Sequence, residues 1–216
     1  MAIDGSEVNV INEALNRLGQ IRITAGQISS PDNKVSRLVA DSYERHRNAA
    51  LRDHPWNFAI YRRELSKNVT APVYGFNYAY DLPDGSPDPY CLRVLQLNDQ
   101  VVWDYSTAGW SLVDDMRRRW KVEQRQILVD IDEPLGVRYI GVPATVDATA
   151  WDDLFFDALA AKCAFFWCEN LTSSDSLKER QGHEFERILR EARSIDGQEG
   201  IHDALETTDW LIHRLS

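Results

Sequence analysis

The stretch ALRDHPWNFAIYRREL, Ala50 to Leu65, decides the fold. Its first residues continue a helical run, and from Trp56 onward the apolar residues recur with period two instead. Pro55 has no N–H to donate, and its ring biases the residue before it away from helical angles, so the helix is predicted to stop near Asp53. No polar linker follows, which makes Trp56 and Phe58 candidates to pin the next part of the chain onto the helix. Asp53 and His54 admit a chemical reading as the orienter and base of a nucleophilic triad. Neighbours in sequence diverge in direction, however, and no G-x-S-x-G element occurs elsewhere. The favoured reading is a surface pair closing a helix, with an imidazolium well placed near the helix C-terminus.

Toward the N-terminus, Asp4 and Glu7 have the spacing of a capping box, and Val8, Ile11, Leu15 and Leu18 keep helical period. Gly19 stands where a C-cap glycine belongs. After a short apolar stretch, Ile21 to Ile28, Ser30 is the expected cap of helix two with Pro31 at its first position. That helix runs to about Asp53 and is expected to bury Val35, Leu38, Val39, Tyr43 and Ala50. Toward the C-terminus, short alternating segments follow Trp56: FAIYRREL, YGFNYAY, CLRVLQL, QVVWDY, GWSLV, KVEQRQILVDI and VRYIGV, separated by DLPDGSPDP and DEPLG. Helix three is predicted to begin near Asp147 to Ala150 and to carry Leu154, Phe155, Ala158, Leu159, Phe165, Phe166 and Trp167. Its second half is apolar nearly all round, as in a central buried helix. Ser173 or Ser174 caps helix four, which places Leu177, Phe185, Ile188, Leu189, Ala192 and Ile195 on one face.

The predicted class is α+β. Residues 1–55 and 147–200 form an antiparallel bundle of about four helices, 56–146 a β-rich antiparallel insertion between helices two and three, and 201–216 an extended C-terminal docking tail. A chain of 216 residues with 44% hydrophobic content, seven Trp, eight Tyr and seven Phe is long and apolar enough to bury a real core. The formal charge is −10, and from Trp151 to Ser216 there are 14 acids against 7 bases. Tight nucleic-acid binding needs concentrated Lys and Arg and is not expected of such a surface, which leaves room for a DNA-repelling channel wall. Cys91, Cys163 and Cys168 have no framework spacing and read as reduced core thiols. The N-terminus lacks a charged start followed by an apolar run, and no segment reaches the roughly 18 residues of a membrane span. A cytosolic site of synthesis without a membrane anchor is the expectation.

Few segments carry residues arranged for chemistry. HEFER at His183 has the first half of the H-E-x-x-H zinc motif, with Arg187 where the second ligand belongs. Asp81, Asp84 and Asp88 do not follow the order of a calcium loop, and neither a Walker A nor a dinucleotide glycine motif occurs. The expectation is no catalytic residue, no cofactor and no metal. Two patterns stand out. Tyr74, Phe76, Tyr78 and Tyr80 alternate and would line one strand face, either as aromatic core or interface or as a platform for sugar rings. Arg117, Arg118 and Arg119, after Asp114 and Asp115 at an expected hairpin, form a contact for a partner's acidic surface or for passing DNA, or, as such runs more often do, a solvated edge. In the tail, Trp210, Leu211, Ile212 and Leu215 make an apolar cluster suited to docking.

The ordered set of segments resembles the tail tubular protein A family, the head-to-tail adaptor proteins of short-tailed bacteriophages. The pieces are INEALNRLGQIRI; YERHRNAALRDHPWNFAIYRREL; YAYDLPDGSPDPYCLRVL; WKVEQRQILVD with RYIGVP; and the long segment from Trp151 to Gly200, together covering roughly Val8 to Glu199. The loop DGSPDP and the tail beyond Gly200 depart from that pattern. The resemblance implies a structural virion protein of the phage tail, assembled in the host cytoplasm. It implies a homo-oligomeric ring, twelvefold in the family, beneath the portal protein and above a nozzle of the tubular protein B kind, with a tail fibre as a further partner. Genomic DNA passes through such a ring without specific binding. Two readings of other classes stand beside it: a tail-associated peptidoglycan-degrading enzyme, and a glycan-binding tail component using the Tyr74 to Tyr80 face.

Overall fold

A computed structural model describes residues 5–98, 100–101, 120–143 and 146–198. In chain order they form α1 (Gly5–Arg17), α2 (Ala25–Ser29), α3 (Lys34–Asp53), β1 (Ile60–Leu65), β2 (Tyr78–Asp81), β3 (Tyr90–Leu97), β4 (Gln100–Val101), β5 (Trp120–Glu123), β6 (Gln126–Val129), β7 (Leu135–Val142), α4 (Asp153–Thr172) and α5 (Asp175–Asp196). The described chain is a mixture of helix and antiparallel sheet.

α1 ends as its sequence predicts. Gly19 takes a φ of +65°, and the N–H groups of Gly19 and Gln20 donate to the carbonyls of Asn16 and Leu15 at 3.0 and 2.9 Å, which is the paired closure of a Schellman motif. The buried Asn12 side chain then pins the outgoing strand of chain, accepting from the Ile23 N–H at 2.8 Å and donating to the Ile23 carbonyl at 3.0 Å. The apolar stretch after it is itself partly helical, since Thr24 and Gln27 form a capping box over α2. Helix two of the sequence, α3, begins later than expected. Asn33 caps it, accepting from Ser36 N–H at 2.9 Å while Ser36 Oγ accepts from Asn33 N–H at 3.1 Å. This reciprocal pair satisfies two end groups where Ser30 offers one, so Pro31 lies outside the helix.

α4 packs against α1, α3 and α5. It starts at Asp153, capped by Asp152, after a separate 3-10 turn, Ala148–Ala150, that Asp147 caps. Two polar ties set the helix register. Arg17 of α1 reaches Glu13, Asp157 of α4 and Glu184 of α5 at 3.1, 3.0 and 3.5 Å. Deeper, Arg47 of α3 meets Glu7 of α1 at 2.8 Å with both side chains essentially out of solvent. Burial and the nearby Glu7 carboxylate push the Tyr43 phenol well above its ordinary range. A buried pair of this kind adds little net stability, but losing one partner leaves an uncompensated buried charge, which is strongly destabilising. The expected all-round burial of the second half of α4 is incomplete: Cys163, Cys168 and Trp167 are buried, Phe165 is half-buried and Phe166 is exposed. Ser174 caps α5, as one of the two expected serines.

The region after Trp56 is not one continuous sheet. β1, β7, β3 and β4 form one antiparallel sheet in that order, and β2, β6 and β5 form a second. β7 explains the division of labour. Its Leu135, Val137 and Tyr139 face the second sheet, together with Tyr80, Ile127 and Val129, while Ile140 and Val142 join the helical core. The β5–β6 hairpin turns at Gln124 and Arg125, both with positive φ, the geometry that matches strand twist in two-residue hairpins. The Arg125 guanidinium reaches back to the Pro83 and Cys91 carbonyls at 2.7 and 3.3 Å and lies 4.0 Å over the Tyr90 ring, tying the second sheet to the first. Gly141 is required where β7 passes the aromatics, since a Cβ there would sit 2.8 Å from the Tyr61 ring.

Candidate functional site

The Ala50 to Leu65 junction is where the helices meet the sheets. α3 stops at Asp53 and His54 is extended, as Pro55 demands. The indole of Trp56 turns back over the helix end and donates from Nε1 to the Ala50 carbonyl at 3.1 Å, satisfying one of the carbonyls that a helix C-terminus leaves without an internal partner. The ring is wholly buried. It meets Phe155 of α4 edge-on at 4.9 Å and Phe58 at 6.2 Å, and Phe58 and Trp151 also pack on Phe155 at 5.0 and 5.3 Å. Trp56 and Phe58 therefore join α3, the start of β1 and the first turns of α4.

Asp53 and His54 close the helix but do not act on each other. His54 Nε2 lies 2.9 Å from Asp196 Oδ2, and Asp53 pairs with Arg193. Asp196 also accepts from the Asn57 N–H at 3.0 Å through Oδ1, and its carbonyl accepts from Asn57 Nδ2 at 2.9 Å. The last turn of α5 is thus clamped onto the junction. Asp196 lies so far along the chain that no local motif marks it.

Above the junction, Phe58, Tyr61, Val142, Pro143, Ala150 and Trp151 line a mainly apolar cleft of about 140 Å³. Sites for small ligands are typically about 300–1,000 Å³, so this cleft is sized for one side chain.

The four-aromatic face does not form. Only Tyr78 and Tyr80 lie on β2, with Tyr80 buried, whereas Tyr74 precedes the strand and is exposed. Gly75 takes a φ of +88° and breaks the alternation there. The aspartates of DLPDGSPDP are engaged locally: Asp88 with Arg63, Asp81 with Asn68 and Gln126, and Asp84 with the Ser86 N–H. Arg187 of HEFER pairs with Glu191 at 3.3 Å. Among the described residues no three His, Cys, Asp or Glu converge as metal ligands, and no helix is long and apolar enough to cross a membrane. The thiols of Cys91, Cys163 and Cys168 are free and buried, and burial raises that of Cys91 to about 11. The predicted partner residues Arg117, Arg118, Arg119, Trp210, Leu211, Ile212 and Leu215 lie outside the described residues.

Compared with known proteins, the chain matches no family model and no curated relative.

Proposed function

We propose that this chain is a structural protein of the virion, a head-to-tail adaptor of a short-tailed phage that assembles as a ring between portal and nozzle and conducts DNA during ejection. In this reading α1, α3, α4 and α5 form an antiparallel bundle, the two sheets form an insertion between α3 and α4, and residues 201–216 dock on a partner. Catalysis, cofactors and metals have no part in it.

The observation that carries the reading is the Trp56 junction. The H-P-W-N-F-A segment is one of the ordered set of family-like pieces, and its residues serve geometry: a buried indole capping α3, an aromatic cluster shared with α4, and a clamp from α5. A part that must transmit force between head and tail benefits from such a rigid joint. The excess of acids toward the C-terminus suits a channel that must let DNA slide without holding it.

Cosedimentation with purified portal oligomers tests this. The chain is expected to migrate with the portal in a sucrose gradient at physiological salt. Migration only at the position of a free monomer, at every concentration and salt tried, would count decisively against the adaptor reading.

A further inference from the structure

We propose that neighbouring copies join by inserting the tip of the β1–β2 loop of one chain, centred on Val73 and Tyr74, into the apolar cleft between Phe58, Tyr61 and Trp151 of the next. The proposal rests on the ring reading and names the contact that would build it.

The loop is a closed, pinned structure. Lys67 and Tyr80 pair as an isolated bridge, the Asn68 N–H donates to the Ala79 carbonyl at 2.8 Å, and the Asn77 N–H donates to Asp130 Oδ1 at 2.9 Å. The stem is held further by Lys67, whose N–H donates to Glu133 Oε1 at 2.6 Å and whose ammonium pairs with Asp132 at 2.8 Å. Loops of this kind, with about 6–16 residues between close ends, are frequently functional. Between the pinned ends lies VTAPVYGF, residues 69–76, without one charge. Val69, Val73 and Tyr74 expose 107%, 97% and 87% of their surface. Leaving three large apolar side chains in water on a fixed stem costs several times the ~0.8 kcal/mol per CH₂ that burial would recover, unless something covers them.

The cleft offers the complementary shape: concave, mainly apolar and sized for one side chain, about 140 Å³. Loop and cleft lie at opposite ends of the β1–β7 pair. Tyr61 is opposite Tyr139 at the cleft end, and Leu65 is opposite Leu135 at the loop end. The six residues of β1 span about 17 Å, while a tip of eight residues doubling back reaches roughly 13 Å. The tip therefore fills the cleft of another copy, not its own. Different patches meeting head to tail form a heterologous contact, which closes into a ring when the rotation per copy allows.

Cysteine pairing tests the contact, because the native thiols are buried and Tyr74 and Ala150, at the cleft edge, are exposed. Under mild oxidation the Tyr74→Cys, Ala150→Cys double variant is expected to give a reducible ladder of dimers, trimers and higher species. A mixture of the two single variants should give dimers alone. Tyr74→Asp, which leaves every described hydrogen bond intact, should lower assembly at least tenfold at equal concentration. If the chain assembles but no ladder forms, or if Tyr74→Cys alone dimerises as readily as the mixture, this contact is wrong and the ring reading stands. If the chain neither assembles nor cross-links, with portal present or absent, both fall.

Discussion

Trp56 is wholly buried where three elements meet. It caps α3, fills the space between α3 and α4, and orients the chain into β1. Truncating a buried aromatic of this size typically costs about 3–5 kcal/mol. His54 contributes one partly buried hydrogen bond to the Asp196 carboxylate, for which about 1.5–3 kcal/mol is typical of a bond to a charged group. Urea unfolding of Trp56→Ala and His54→Ala should therefore show the tryptophan variant as the less stable of the two, and the reverse order would refute the assignment of roles. At this scale the sequence was readable where a residue acts on its neighbours. Pro55 stops the helix and Gly19 closes the one before it for reasons local to each. The clamp from Asp196 and the burial of Glu7 against Arg47 were not readable, because each depends on a partner brought close only by the tertiary fold.

Elements were legible through period and caps, and misjudged where two caps competed or where pairing is non-local. Asn33 displaces Ser30 because it forms a reciprocal pair with Ser36. The alternating segments after Trp56 identify strands but not which strand each one joins, so the split into two sheets, with β7 between β1 and β3, was invisible. The seam between α3 and α4 carries a pH dependence of its own. His46 stacks on Phe166 at 4.6 Å, and burial, followed by the positive charges of Arg45 and Lys162, lowers its pKa to about 4. The unfolded chain protonates this imidazole near pH 6.5, its ordinary value, while the folded chain resists until about pH 4. The unfolded state thus binds more protons in that window, and stability falls as pH drops through it and is unaffected above it. Thermal unfolding followed by circular dichroism should show a smaller loss between pH 7.5 and 5 for His46→Gln than for the unmodified chain. Identical losses would mean that His46 does not titrate as the seam requires.

For the molecule as a whole, the mixed class and the presence of a β-rich part between helices were legible, since a change of apolar period over a long stretch is a strong signal. The candidate site is legible only in part: the junction is evident, the cleft is not, and the alternation from Tyr74 to Tyr80 places on a strand face a tyrosine, Tyr74, that lies exposed in the loop before β2. A loop and a strand share the same alternation when a single glycine with positive φ decides between them. These features combine in one object: an aromatic junction, an acidic C-terminal third and a chain whose apolar tip and cleft lie at opposite ends of one strand pair. In the proposed function, copies of this chain build a ring that carries DNA from head to tail. The decisive measurement is electron microscopy of the purified protein, alone and with portal. Closed rings with an open central channel, stacked coaxially on the portal where portal is present, are expected; single particles of one chain in both samples would contradict the proposal.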